Sequence, residues 1–119
     1  MQFSKIKLTK LASNQLSRLK GQSGLTPNLL CRIGFCLSLN QAVISDPADY
    51  PEEEREFNRY TLLGEWDELY IALLREWCEK NLEGDYILKD YFRMHLNRGV
   101  DLVAKHAREG ISGLLDLVD

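Results

Sequence analysis

The stretch from Gly24 to Asn40, GLTPNLLCRIGFCLSLN, constrains the fold more than any other part of the chain. Thr26 can accept hydrogen bonds from the unpaired amides of a first helical turn, and Pro27 at the first helical position has no amide to leave unsatisfied. A helix therefore begins there. At about 100° per residue, Leu29, Leu30, Ile33, Cys36 and Leu37 share one face, while Cys31, Phe35 and Leu39 line up on another. A surface helix needs one apolar stripe. Two stripes predict that the first packs within the subunit and that Cys31, Phe35 and Leu39 form a contact between subunits.

Upstream, residues 3 to 8 alternate in the manner of a short strand, with Ile6 and Leu8 on one face and Lys5 and Lys7 on the other. From Thr9 to Gln22 the period becomes helical, with Leu11, Ala12, Leu16 and Leu19 on one side, and Gly21 and Gly24 punctuate the end. Strand, helix, turn and capped helix, all within residues 1–40, resemble the ribbon-helix-helix motif of small DNA-binding repressors. In that motif two chains pair their single strands into a ribbon that enters the major groove. By position, Lys5 and Lys7 would face the groove, with Thr26 and Asn28 near phosphate.

Residues 41–60 hold two prolines and a run of glutamates, and read as an acidic, irregular connector that either shields part of the basic face or, as the default, stays solvated. Residues 61–110 are helical again. One long helix is predicted from Thr61 to Leu82, with Leu62, Trp66, Leu69, Leu73 and Trp77 on its buried face. Gly84 ends it. Asp85 is placed to cap a last helix carrying Leu88, Tyr91, Phe92, Leu96, Val100 and Val103, which closes at Gly110 before a weakly packed tail. The expectation is a mainly α, oligomeric protein, residues 1–119 forming a single domain of one short strand and about four helices.

Charge is distributed unevenly. Before Asp46 there is no acidic residue and there are six basic ones, Lys5, Lys7, Lys10, Arg18, Lys20 and Arg32; the remainder carries nine basic and eighteen acidic residues, so +6 is followed by −9. Such a basic segment is either a surface for a polyanion, because each Lys or Arg set against a phosphate releases counterions, or a face balanced by the acidic half of the same fold. No apolar run approaches the roughly 20 residues that span a bilayer, and the start MQFSKIKLTK lacks the apolar centre of a secretory signal, so a cytoplasmic protein without a membrane partner is expected.

The residues that carry chemistry elsewhere form no constellation here. Cys31 and Cys36 are five apart on a helix and point about 140° away from each other, and Cys78 has no CxxC partner. His95 and His106 have neither metal spacing nor a nucleophile beside them, and Glu52, Glu53, Glu54 and Glu56 read as a solvated run. The expectation is a protein that is not an enzyme and uses no metal or cofactor.

Three segments taken together, GLTPNLLCRIGFCLSLN, EFNRYTLLGEWDELYIALL and FRMHLNRGVDLV, resemble the DndE family of the bacterial DNA phosphorothioation system, which replaces a nonbridging phosphate oxygen with sulfur. The resemblance runs through most of the chain. It implies duplex DNA, nicked duplex included, as a ligand, a homotetramer, and action alongside a cysteine desulfurase, an ATP-pyrophosphatase-like subunit and an ATPase. It implies no catalytic residue. With it, Lys5, Lys7, Lys10, Arg18, Lys20, Thr26, Asn28 and Arg32 become the expected DNA-binding residues. The alternative is an adaptor whose basic face meets an acidic protein of the same machinery.

Overall fold

The structure, a computed structural model, describes residues 3–108. Gly110, expected to close the last helix, and the tail ISGLLDLVD lie outside the described residues. The order is β1 (Lys5–Lys7), α1 (Lys10–Ser23), α2 (Pro27–Leu39), a 3-10 turn at Pro47–Asp49, β2 (Glu56–Asn58), α3 (Arg59–Leu63), a 3-10 turn at Gly64–Trp66, α4 (Asp67–Asn81) and α5 (Leu88–Ala107). The fold is mainly α with one small antiparallel sheet.

Both early helices start where their sequence dictates. Thr9 caps α1 by accepting from the Ala12 amide, and Thr26 caps α2 by accepting from the Leu29 amide, with Pro27 behind it. Gly24, at φ 74°, closes α1 in the left-handed conformation that costs glycine nothing, and its amide donates to the Lys20 carbonyl.

The partner of β1 comes from the same chain. Lys5, Ile6 and Lys7 pair antiparallel with Asn58, Phe57 and Glu56. The ribbon is thus built within one chain from a strand in the acidic connector, whereas the ribbon-helix-helix resemblance implied a second chain. The connector is correspondingly not a solvated strap: its 3-10 turn is capped by Asp46 and β2 is hydrogen-bonded to β1.

α5 is the central element. It packs closely on α2, where Gly34 and Gly99 face each other; a Cβ on Gly34 would sit 2.5 Å from the Gly99 carbonyl carbon. Phe92, Met94, Leu96, Val100 and Val103 of α5 are buried with Leu30, Cys31 and Phe35 of α2 and Ile6, Leu8 and Leu16 from the first two elements. The long helix expected from Thr61 is broken. Gly64, at φ 59° and ψ −140°, ends α3 in a conformation that side-chain-bearing residues avoid, and α4 begins afresh at Asp67. Asp85 is not the cap of α5; Ile87 holds that position with no side-chain hydrogen bond.

Candidate nucleic-acid interface

Alternation along β1 puts Ile6 wholly in the core and leaves Lys5 and Lys7 exposed on either side of it. Lys10, the first residue of α1, is also exposed and follows directly. All three lysines of residues 5–10 are thus exposed. Around α1, Arg18 lies about 80° from Lys10 on one side and Lys20 about 80° on the other. Both are exposed.

The remaining expected residues do not join that surface simply. The Thr26 hydroxyl is engaged as a cap, and Asn28 is half-buried beside it. Arg32 is half-buried, donates through Nε to the Leu62 carbonyl at 2.7 Å and lies against Gly64. It lines a groove between α2 and α4 rather than the ribbon.

That groove, of about 850 Å³, reverses the expectation for the two stripes of α2. Cys31 and Phe35 are fully buried in the chain's own core, with Phe35 packed edge-on or tilted against Tyr70, Phe92 and His95. They are not on offer to another subunit. Of the stripe expected inside, only Leu30 is fully buried; Leu29, Ile33, Cys36 and Leu37 line the groove instead, together with Leu39, the one member of the expected contact that reaches it. Across the groove stand Trp66, 53% exposed, Tyr70 and Leu73, with Leu69, 51% exposed, on the same helix. The expected buried face of the long helix is therefore covered only at Leu62 and Trp77.

Buried polar groups sit where α2, α5 and the loop after α2 meet. Arg98 Nε donates to Ser38 Oγ at 2.8 Å, and Ser38 Oγ lies 2.7 Å from His95 Nδ1, so the hydroxyl proton is free to go to the unprotonated Nδ1. Burial first, and the Arg98 charge second, hold the His95 pKa down to about 3, so this imidazole is neutral. Arg98 also donates to the Val43 and Ser38 carbonyls, and Trp77 Nε1 donates to the Gln41 carbonyl, which fixes the loop.

Burial pushes the Cys31 thiol up to about 12 and the Cys78 thiol to about 11, and it raises Cys36 as well. All three cysteines are free thiols. Among the described residues no group of three or more His, Cys, Asp or Glu is placed to hold a metal ion. No helix there is long and apolar enough to cross a membrane.

The profile of the DNA sulphur modification protein DndE matches residues 5–109, from the first strand to the end of α5. The chain belongs to the DndE family. Its fold is that of DndE from Escherichia coli B7A, whose crystal structure is described as that of a protein involved in DNA phosphorothioation modification. The two are 22% identical, with a TM-score of 0.70 over 87% of this chain and 98% of that one. No curated protein sequence matches it.

Sequence reasoning missed two contributors to this region of the DndE-family fold. Lys89 places its Nζ 3.8 Å from Glu52 Oε1, a neighbour brought by tertiary structure alone and carrying no local signal. The groove residues Trp66, Leu69 and Leu73 were visible as apolar, and Gly64 was the available sign that their helix breaks before them.

Proposed function

We propose that this DndE-family chain is a non-catalytic, DNA-binding component of the DNA phosphorothioation machinery. It engages duplex DNA, nicked duplex included, with Lys5, Lys7 and Lys10 as the centre of the contact and Arg18 beside them. The observation that carries this reading is the exposure of Lys5, Lys7 and Lys10 on a short ribbon and the helix start that follows it. Lys20, Thr26, Asn28 and Arg32 are peripheral in it. Its place of action is the cytoplasm, with the other proteins of the same system as partners.

Assembly into a homotetramer would repeat the basic patch on each subunit and raise the affinity of individually weak phosphate contacts. The surface that supports such assembly is the apolar groove between α2 and α4, not the buried pair Cys31 and Phe35. The same groove favours a second reading, an adaptor that holds another protein of the system without touching DNA.

Binding of the purified protein to intact and nicked duplexes across a salt series tests the first reading. Affinity should fall steeply as salt rises, with little dependence on base sequence. A Lys5→Ala, Lys7→Ala variant should bind all duplexes more weakly and lower the logarithmic salt slope by up to about two. Unchanged DNA binding by a folded, assembled variant rejects the lysine surface and leaves the adaptor.

A further inference from the structure

The basic ribbon carries its own competitor. The main chain of residues 53–55 is tied to Leu8 by three hydrogen bonds: Leu8 donates to the Arg55 carbonyl, and the Glu53 and Glu54 amides donate to the Leu8 carbonyl. A further tie runs from the Arg55 amide to Ser13 Oγ. The backbone so held keeps the exposed side chains of Glu52, Glu53 and Glu56 beside β1 and the start of α1. Glu52 Oε2 accepts from the Lys7 amide at 3.3 Å, and Glu53 Oε1 accepts from the Lys10 amide at 3.1 Å. Glu56 stands directly across the ribbon from Lys7, on its exposed side.

Three carboxylates therefore stand along the backbone of the lysine segment that the proposed function assigns to DNA, Glu52 also lying 3.8 Å from Lys89 Nζ. We infer that Glu52, Glu53 and Glu56 form an autoinhibitory contact that lowers the affinity of the ribbon for the DNA backbone; this rests on the lysine surface being the DNA site. Charge supports it. The segment supplies anions at the edge of the surface a phosphate must approach, and two of them already occupy amides of Lys7 and Lys10 that a phosphate oxygen would otherwise meet. Fixed negative charge so placed repels the phosphate chain at every salt concentration, and most at low salt, where screening is weakest. The consequence for function is selectivity by weakness: a single subunit holds intact duplex poorly, and stable binding requires several ribbons at once.

The test replaces the three carboxylates by amides, which keep the shape and a carbonyl oxygen for the Lys7 and Lys10 amides. The Glu52→Gln, Glu53→Gln, Glu56→Gln variant should bind a duplex of fixed length more tightly, on the order of tenfold at low salt and less as salt rises. A control with the same change of charge on α4 and the turn after it, Glu68→Gln, Glu79→Gln, Glu83→Gln, should gain clearly less. Equal gains from both, or no gain from the first, overturn the inference. If the triple variant melts early, Glu56→Gln alone carries the test, because the Glu56 side chain takes part in none of the ties described, and it should gain about threefold. The Lys5→Ala, Lys7→Ala variant is measured in parallel. If it binds DNA as the parent does, the lysine surface and this inference fail together; if it binds weakly while the glutamine variants bind as the parent does, only the inference fails.

Discussion

Replacing Gly34 by alanine adds one methyl group at the tightest point of the fold. The new Cβ would stand 2.5 Å from the carbonyl carbon of Gly99 and 2.6 Å from its oxygen, both backbone atoms of α5 that no rotamer change can move. Carbon atoms in ordinary contact stand about 3.5–4 Å apart, so α2 and α5 must part by roughly 1 Å or tilt. Parting opens the layer where Phe35 and Phe92 meet, with ring centroids 5.2 Å apart. Overpacking of this kind costs about 1–3 kcal/mol, and more where backbone meets backbone, whereas alanine in a helix interior gains about 1 kcal/mol over glycine. The strain wins. With the cost at or above the top of that range, a net loss of about 2 kcal/mol is expected, a fall in melting temperature on the order of 10 °C for a chain of this size.

The control lies in the same molecule. Gly21, inside α1, has nothing within 4 Å of a Cβ, so Gly21→Ala should recover helix propensity without strain and melt slightly higher. Thermal melts followed by circular dichroism at matched protein concentration compare the two. If Gly34→Ala melts at or above the parent temperature, the close approach of α2 and α5 does not hold the fold as argued here.

Stability should also depend on pH through His95. Its folded pKa of about 3 lies below the unfolded value of 6.5, so the unfolded chain binds the extra proton and stability is lost as pH falls from 6.5 towards 3. The slope contributed is at most about 1.4 kcal/mol per pH unit, and a His95→Gln variant should lack it; denaturant unfolding between pH 7 and about pH 4.5 measures both, and identical slopes refute the assignment. If the proposed assembly forms through the groove, Leu73→Glu should dissociate it while leaving the fold intact, whereas Phe35→Glu should unfold the chain, because Phe35 is fully buried and Leu73 is 39% exposed. Sedimentation with circular dichroism separates these outcomes, and an unaltered oligomer for Leu73→Glu removes the groove from the contact.

Local chemistry was legible in the sequence. Thr26 with Pro27 and Gly24 act on amides and carbonyls within one turn, so their residue types alone decide where α1 ends and α2 begins. The strand β2 was not legible, because EFN sits in a run of glutamates and is a strand only through pairing with residues some 50 positions earlier. Nor was the choice between the two apolar stripes of α2, since periodicity shows that two exist without saying which is covered. Gly34 and Ser38 held the missing signal. They fall between Leu30, Cys31 and Phe35 on the helix, and only a face with small residues lets α5 come close enough to bury it.

That close approach also explains why a neutral histidine and a charged arginine are tolerated in the middle of α5. Arg98 and His95 stand next to the glycine contact, so the spacing that brings Gly99 against Gly34 brings both side chains within hydrogen-bonding distance of Ser38, near the end of α2. A buried guanidinium without such partners would cost several kcal/mol; here it donates to Ser38 Oγ and to the Ser38 and Val43 carbonyls, and so the loop after α2 is held by the same side chain. The loop residues Gln41 and Ala42 form one end of the apolar groove. β1 also packs on α5, through a core in which Ile6 and Phe92 are both fully buried. The position of the groove and that of the basic ribbon are therefore set by one helix, so the assembly proposed on the groove would hold the ribbons of its subunits at fixed separations, as the proposed binding along a phosphate backbone requires.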